Sequence, residues 1–278
     1  MTQLLRRLGP SGRSQPRHLA PAVLGVCLVA AQISYPHTAG DTRDRLTILT
    51  VVLFASASLS HALIAHGRRT TLWLFGVFAG GGMLVEALGV ATGFPFGDYA
   101  YSQRIGPALI GVPMIIPLAW VMMGYPAAVV ARLITPRRWL GAIIGAGALA
   151  TWDLFLDPQM VAEGYWTWQG AGPHLIGSIP ATNYLAWLAV AGVMMTVVWP
   201  ATTTWSVATA DHRVPVALYV WTWFGSVIGH VAYLGLPQSG LYGGVGMGVF
   251  VVWLTCSLLR SSRMGSEGQP VPSKRARL

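Results

Sequence analysis

Two carboxylates lie four residues apart in one of the most apolar parts of the chain. Asp153 and Asp157 occur in the stretch ATWDLFLDP, and the residues just before it read LGAIIGAGAL. In a helix, the i, i+4 spacing puts both carboxyls on one face, about 6 Å apart along the axis. Two like charges this close in a low-dielectric region cannot both ionise cheaply, so at least one is expected to hold its proton near neutral pH. A carboxyl kept neutral beside a charged one is suited to general acid catalysis.

Each of these acids also has a purely structural interpretation. Asp157 precedes Pro158 at the expected end of the helix, where it would simply meet interfacial water. Asp153 lies a full turn deeper and would be a hydrogen-bonded structural acid. A charged side chain at the centre of a membrane helix costs roughly 2.5–3.5 kcal/mol even on the lenient insertion scales. Acids at that depth are therefore candidates for function.

The composition of the chain predicts a membrane protein. Of 278 residues, 54% are hydrophobic and only 10% are charged, whereas a soluble domain carries about 25% charged residues. The net charge of +9 comes from basic residues at the termini and in short connections, which is the membrane pattern and argues against a nucleic-acid partner. Cys27 and Cys256 each lie in an apolar stretch, so no disulfide framework and no metal-binding cysteine spacing is expected.

Apolar stretches long enough to cross a bilayer, roughly 17–25 residues each, occur eight times. The expected spans are 19–35, 46–65, 71–92, 107–131, 138–157, 182–200, 214–236 and 240–259. The sequence therefore predicts an all-α, polytopic membrane helix bundle of about eight transmembrane helices. Within it, GAGAL and GGVGMG are interpreted as small-residue faces that let helices approach closely. A cleaved signal peptide over residues 1–31 is the competing interpretation of the first span.

The basic residues predict the orientation of this bundle. With eight spans, fifteen of the eighteen Lys and Arg residues fall on one side, and only Arg43, Arg45 and Arg104 fall on the other. The positive-inside rule then predicts a multi-pass protein of the cell membrane with both termini in the cytoplasm. The expected divisions are a basic cytoplasmic tail over 1–18, a transmembrane domain carrying the candidate catalytic acids over 19–259, and a disordered basic cytoplasmic tail over 260–278.

This topology collects the polar groups of the spans in one layer near the extracytoplasmic face. Glu86 in the third span falls in the same outer half as the two acids of the fifth, and Asp98 follows in the next connection. Asn183, which opens the sixth span, lies at the same level. A transport path would distribute such groups through the bilayer, so a single layer favours a site at the membrane–water boundary.

The two outer connections that flank these acids are unusually aromatic. Residues 93–106 read GFPFGDYAYSQRIG, and residues 158–181 read PQMVAEGYWTWQGAGPHLIGSIPA, with no Lys or Arg in the second. They are expected to fold back at the interface, with re-entrant geometry as one option. An aromatic belt at the membrane surface is the alternative for any single Trp. Aromatic rings beside several acids favour a site for an apolar ligand.

Three stretches of the sequence resemble a known family. They are EALGVATGFPFGDYAYSQRIGPALIGVPMIIPLAWVMM (86–123), ATWDLFLDPQMVAEGYWTW (150–168) and GSIPATNYLAW (177–187). In order, spacing and residue type they are similar to the integral-membrane carotenoid biosynthesis family, which includes bisanhydrobacterioruberin hydratase and carotenoid 1,2-hydratases. The resemblance is specific over roughly 86–187 and weak elsewhere. Ala186 stands where the family pattern has Gly before the Trp.

The resemblance implies a cofactor-independent addition of water to the terminal double bond of an acyclic carotenoid. The implied partners are that carotenoid, the lipid bilayer and other membrane enzymes of the pathway, with no metal. Protonating the alkene creates a tertiary carbocation, which needs an acid, π faces beside the cation, and a base for the attacking water. Asp153 is assigned as the proton donor, Asp157 or Asp98 as the acceptor from water, and Glu86 as a residue that positions or shares the proton. The candidate substrate-binding residues are Phe96, Tyr99, Tyr101, Trp120, Trp152, Trp166, Trp168 and Asn183.

Three other functions remain open at this point. A membrane prenyltransferase would use the D-x-x-x-D form of DLFLD to hold magnesium and diphosphate, but it needs a second acidic motif and basic residues. A carotene cyclase would form the same carbocation and quench it with an internal double bond. A carotenoid or lipid carrier would need aromatic residues and shape, but no paired carboxyls.

Overall fold

The computed structural model describes residues 19–170, 172–203, 205 and 211–267, the last seven of these as backbone alone. Its α-helices are α1 Leu19–Ser34, α2 Gly40–Phe75, α3 Gly81–Thr92, α4 Ile115–Ile134, α5 Arg138–Ala150, α6 Asp153–Ala162, α7 Ala181–Thr202, α8 Arg213–Ile228 and α9 Pro237–Glu267. Short strands are β1 Tyr99–Tyr101, β2 Ala108–Leu109, β3 Val112–Pro113, β4 Trp166–Trp168, β5 His174–Ile176 and β6 Ile179–Pro180. The protein is thus an all-α membrane bundle with a small amount of strand between its helices.

Seven segments of the described chain are long and apolar enough to cross a membrane. One of them, Gly40–Thr92, has 53 residues, or about 80 Å at 1.5 Å per residue, which far exceeds a hydrocarbon core of about 30 Å. Gly67 interrupts it with non-helical angles, φ 81° and ψ 169°. This break lies between the second and third expected spans, so Gly67 is where one pass would turn into the next. The count of eight and the orientation stay predictions.

The fourth helix begins later than the sequence suggested. The expected span started at residue 107, but residues 108–113 form a β-hairpin and α4 begins at Ile115. Ile110 and Gly111 make its two-residue turn with φ values of 54° and 78°, the positive pair typical of a type I′ turn. The apolar composition of this stretch hid the turn, because Ile rarely takes a positive φ.

The fifth expected span is two helical segments rather than one. Its helix breaks at Thr151–Trp152, and α6 then continues to Ala162, past the Pro158 that was expected to end it. A proline cannot donate to the carbonyl four residues earlier. Here the Ser239 hydroxyl donates to the Leu154 carbonyl instead, at 2.6 Å. A partner from α9 thus replaces the missing backbone hydrogen bond, which lets the helix carry both acids and continue.

The two aromatic connections form a cap instead of separate re-entrant segments. β1 and β4 pair antiparallel, with Tyr99 opposite Trp168 and Tyr101 opposite Trp166. The pairing is extended by a hydrogen bond from the Gln169 amide to the Asp98 carbonyl, at 2.7 Å. Because successive residues of a strand point to opposite faces, all four rings lie on one side of the cap.

The tail predicted to begin at residue 260 is partly helical. α9 extends to Glu267, and residues 268–278, like the predicted tail over 1–18, lie outside the described residues. The apolar span ends at Arg260, beside the predicted boundary, and the helix continues past it because its hydrogen-bonded ladder is already established. The division of the chain stays a prediction.

Glycines allow the closest helix contact in the bundle. On α5, a Cβ at Gly141 would overlap the ring of Trp199 on α7, and a Cβ at Gly145 would lie 2.8 Å from the sulfur of Met195. Gly147, in the GAGAL stretch, faces Phe250 of α9 in the same way, with 2.5 Å to the ring. The interpretation of GAGAL as a close-packing face agrees with these contacts.

Gly141→Ala is expected to destabilise the protein by about 1–3 kcal/mol, because the added methyl group must displace a buried indole ring. The matched control is Gly192→Ala on α7, where a Cβ would meet no atom within 4 Å and which should gain about 0.5–1 kcal/mol of helix stability. The midpoint of thermal unfolding in detergent compares the two. Equal shifts for both variants would contradict this account of the α5–α7 contact.

The predicted orientation can be tested with single cysteines in a background carrying Cys27→Ser and Cys256→Ser. The cap brings positions 98 and 169 together, whereas Arg137 lies exposed in the α4–α5 connection at the other end of those helices. A membrane-impermeant maleimide applied to intact cells should label cysteines at 98 and 169 and leave one at 137 unlabelled. The reverse pattern would overturn the cytoplasmic placement of the termini.

Candidate active site

A small cavity lies under the cap, between α3, α4, α6 and α7. Its volume is about 60 Å³. One buried water needs roughly 10–15 Å³ of such space, so the cavity has room for only a few waters. Residues expected to contribute to a site line it: Glu86, Phe96, Tyr99, Tyr101, Trp120, Asp157, Trp166, Trp168 and Asn183. Nine of the twelve candidate site residues therefore line one cavity.

A single amide bridges the two acids of α6. The Asn183 side-chain nitrogen donates to Asp153 Oδ2 at 2.8 Å and to Asp157 Oδ2 at 2.5 Å. Asp157 Oδ1 accepts a further hydrogen bond from Trp166 Nε1 at 2.6 Å. Asp153 and Asp157 are both almost fully buried. Asn183, a candidate substrate-binding residue, lines the small cavity, and its side chain also holds the carboxyl pair together.

The two acids have different surroundings. Asp157 lines the small cavity, whereas Asp153 lies behind it, outside the cavity wall. Asp153 Oδ1 is buried with no hydrogen-bond partner among the described residues, while both oxygens of Asp157 accept N–H donors. Asp153 Oδ1 has both lone pairs unused and each oxygen of Asp157 keeps one, so the proton of the pair can lie on either acid. The pair thus combines one acid that faces the cavity with a second that has a free oxygen.

Glu86 faces the same cavity and is held by three neutral donors. Its Oε2 accepts from Tyr99 Oη at 2.6 Å and from Tyr101 Oη at 2.7 Å, and its Oε1 accepts from Trp120 Nε1 at 3.2 Å. Burial, with the charge of Glu86 next, raises the pKa of both tyrosines, so they remain protonated donors. This acceptor-only pattern is that of an ionised carboxylate stabilised without a cation.

Aromatic rings form most of the remaining wall. The cross-strand pairs of the cap are close, with ring centroids 5.0 Å apart for Tyr99–Trp168 and 5.5 Å apart for Tyr101–Trp166. Trp187, which sequence reasoning did not include, stacks on Trp120 at 4.1 Å. The sequence could have indicated Trp187, because it follows Asn183 by four residues and therefore shares the same helix face.

Three of the predicted site residues do not line the small cavity: Asp153, Asp98 and Trp152. Asp98 is exposed on the outside of the cap, beside the turn at Gly93. Trp152 is buried beneath Trp187, with ring centroids 6.0 Å apart, and lines a second, larger cavity. The structure thus brings Glu86 and Asp157 together across one space and leaves Asp98 out of it.

Ion pairs fasten the cap to the start of α2. Arg104 donates to both carboxyl oxygens of Asp44, at 2.6 Å and 3.1 Å, and also to the Glu163 carbonyl. Arg43 pairs with the Glu163 carboxylate at 2.5 Å. The ring of Tyr165 lies under the Arg104 guanidinium, and its hydroxyl donates to Asp44. Residues from both cap connections are therefore anchored to one helix end.

The geometry limits what this site could hold. In the described part of the chain, no group of three or more His, Cys, Asp or Glu side chains is placed to bind a metal ion. The small cavity has no Lys or Arg among its lining residues. An apolar molecule with a weakly basic π bond fits these walls better than an anionic one.

A sequence profile described as "Carotenoid biosynthesis protein" matches residues 46–255, about three quarters of the chain. This chain belongs to the carotenoid biosynthesis protein family. A bisanhydrobacterioruberin hydratase from Haloarcula japonica is 34% identical to it over 109 residues. That match covers 37% of this chain and 36% of the length of the relative. No solved structure matches the chain. The family assignment agrees with the resemblance inferred from the sequence.

For this family member, Asn183→Ala is expected to lower the free energy of unfolding by about 1–3 kcal/mol, because two buried carboxyls lose their common donor. Adding Asp153→Asn should recover part of the loss, since one of the two mutually repelling acids is then neutral. Thermal unfolding of the wild type, both single variants and the double variant in detergent measures the coupling. Strictly additive shifts would mean that Asn183 does not connect the two acids.

Proposed function

We propose that this protein is a carotenoid hydratase, which adds water to the terminal C=C bond of an acyclic carotenoid end group and produces a tertiary alcohol. The observation that carries the proposal is that two carboxyls with different surroundings line the same cavity. Asp157 belongs to an amide-bridged acid pair on one wall, and Glu86 accepts three hydrogen bonds on another. Two carboxyls in such different surroundings are suited to separate acid and base roles.

The acid pair would supply the proton. Asp157 faces the cavity, and the proton it donates would add to the CH carbon of the terminal double bond, leaving a tertiary cation on the neighbouring carbon. Asp153, bridged to Asp157 through Asn183, disfavours a second negative charge and so keeps one proton in the pair. The assignment of Asp153 as donor is thereby modified: Asp157 reaches the substrate, and Asp153 acts through it.

The carboxylate of Glu86 would complete the reaction. A water in the cavity attacks the cation through its oxygen, and its released proton goes to Glu86, which replaces Asp98 and Asp157 as the proposed acceptor. The aromatic faces of Tyr99, Trp166 and Trp168 stabilise the cation until it is trapped. The net change is the addition of one water, and a proton passed from Glu86 back to the acid pair through cavity water restores the starting state.

The remaining alternatives fit the site less well. A prenyltransferase needs cations for a diphosphate, and the lining of the small cavity carries no Lys or Arg. A cyclase must keep water away from its cation, whereas this cavity has three carboxyl or amide side chains and space for water. A carrier has no need of a buried acid pair, which costs stability.

Expression in a host that accumulates lycopene, followed by mass analysis of the pigments, tests the proposal. The wild type should add one water at one or both ends. Asp157→Asn should lower product formation by about 100-fold or more, because it removes a general acid, and Asp153→Asn should also reduce it strongly. Unchanged mass with an altered absorption spectrum would indicate a cyclase, and a five-carbon gain would indicate prenyl transfer.

Two further acids serve as comparisons. Asp41→Asn changes an exposed acid in the first turn of α2, outside the small cavity, and should leave product formation unchanged. Asp98→Asn and Glu86→Gln decide which acid accepts the proton from the attacking water. Asp98→Asn should keep most of the activity, whereas Glu86→Gln should abolish the activity. Full activity of Asp157→Asn in correctly inserted protein would exclude the proposed donor.

A further inference from the structure

A larger cavity adjoins the small one. Its volume is about 300 Å³, at the lower end of the roughly 300–1,000 Å³ of small-molecule sites. Five residues line both spaces and form the partition between them: Thr47, Val51, Met122, Leu156 and Met160. The small cavity can hold water but not an isoprenoid end, so the end of a long substrate must displace part of this partition.

Two side chains of the partition can be displaced at low cost. Met122 and Met160 are unbranched side chains that adapt to irregular space at low cost. Leu156 lies on the same helix as the acids, between Asp153 and Asp157, so an end group that passes it arrives beside the acid pair. The large cavity therefore lies on a direct route to the reacting carboxyls.

The mouth of the large cavity lies where its lining residues are exposed at the surface. On one side is the end of α1 and the turn after it, where Ile33 is exposed; on the other are Ile228 and Tyr233. His37 and Tyr233 meet edge to face across this gap, with ring centroids 5.6 Å apart. A hydrocarbon dissolved in the bilayer could enter here without crossing water.

A π-helical turn shapes the second side of this mouth. Over Gly229–Tyr233 the Leu234 amide donates to the Gly229 carbonyl, five residues back, at 2.9 Å. The wider turn buries His230 while its neighbours Val231 and Tyr233 face outward. Turns of this kind are frequent at functional sites.

Some polar groups of this wall are paired within the protein, whereas Tyr35 Oη and Thr50 Oγ1, which also line the cavity, have no hydrogen-bond partner among the described residues. Since the Ser239 hydroxyl donates to the Leu154 carbonyl, it accepts from His230 Nδ1, at 2.8 Å. In this tautomer His230 Nε2 is an acceptor, and it lies 3.2 Å from Gln159 Oε1, a second acceptor. Trp221 Nε1 likewise donates to Gln32 at 2.7 Å. The rings of Phe54, Trp152, Phe155 and Trp221 also line the cavity and give it flat apolar surfaces on which a hydrocarbon chain can pack.

We propose that the large cavity binds the isoprenoid chain adjoining the reacting end, and that the gap between Ile33 and Gly229–Tyr233 is the portal through which it enters from the bilayer. The inference rests on the proposed function for the identity of the occupant. It assigns to the α1 end and the π-helical turn a role in substrate capture that is separate from the chemistry at the carboxyls.

Bulk added at the mouth tests the portal. Gly229 has helical backbone angles, φ −57° and ψ −49°, and a Cβ there would meet no atom within 4 Å. The series Gly229→Ala, Gly229→Leu and Gly229→Phe should progressively lower both water addition and the lycopene-derived pigment that copurifies per protein, with a several-fold loss for Phe. Gly192→Phe, in equally open space on α7, is the matched control and should match the wild type.

The opposite rim provides an independent variant. Ile33→Trp should narrow the mouth and lower pigment retention, whereas Val26→Trp, at a lipid-exposed position two turns earlier on α1, should not. Size-exclusion profiles in detergent confirm that each variant is folded. Unchanged retention and conversion in both Gly229→Phe and Ile33→Trp would overturn the portal.

The two proposals fail differently. In one outcome, the wild type retains a pigment that Gly229→Phe loses, but the pigment never gains water. This result would reject the hydratase proposal and support binding in the large cavity. Water addition that is insensitive to both rim variants would support the hydratase and reject the portal. A wild type that neither retains nor converts lycopene would count against both.

Discussion

The absence of water around a membrane-spanning helix is the constraint on which this structure depends. Any acid placed there must find its hydrogen bonds within the protein, because lipid supplies none. Asn183 meets this requirement for Asp153 and Asp157 at once, and in doing so it joins α6 to α7. Trp166 does the same for the other oxygen of Asp157, and the two tyrosines of β1 do it for Glu86, which connects the cap to the helices. Asp153 Oδ1 is left without a partner among the described residues. The groups proposed to carry the chemistry thus also hold the cap and the helices beneath it together.

A second set of polar side chains lies at the cap end of the bundle and holds the cap in position. The pairs Arg104–Asp44 and Arg43–Glu163 lie nearer to solvent than the acids of the cavity. Exposed ion pairs contribute little stability individually, but these combine with Tyr165, which reaches Asp44 from beneath. They fix the position of the cap over the cavity, and no basic side chain enters the cavity itself. A cation beside Glu86 or Asp157 would favour ionisation of both and remove the difference between them.

Local spacing in the sequence predicted the parts of the molecule that depend on local geometry. The shared face of Asp153 and Asp157 follows from their i, i+4 spacing, and most spans follow from apolar length. The parts that escaped prediction depend on distant partners. Ser239 lies 85 residues from Leu154, to whose carbonyl it donates a hydrogen bond. Nothing in the sequence near Pro158 indicates that partner. The hairpin at 108–113 was hidden by its apolar residues, since its turn uses Ile110 in an unusual conformation. The division of roles between Asp157 and Asp153 depends on which side chain faces the cavity, a fact of tertiary packing.

The pairing of β1 with β4 also bears on assembly. The two strands are joined through α4, α5 and α6, so neither can close the cap until all three helices have been made and packed. Contacts between such distant segments form late, because the intervening chain must first be ordered. Until then the carboxyls of α6 remain open to interfacial water, where an acid can be solvated at little cost. The cap therefore cannot cover the acids of α6 before α4, α5 and α6 are in place.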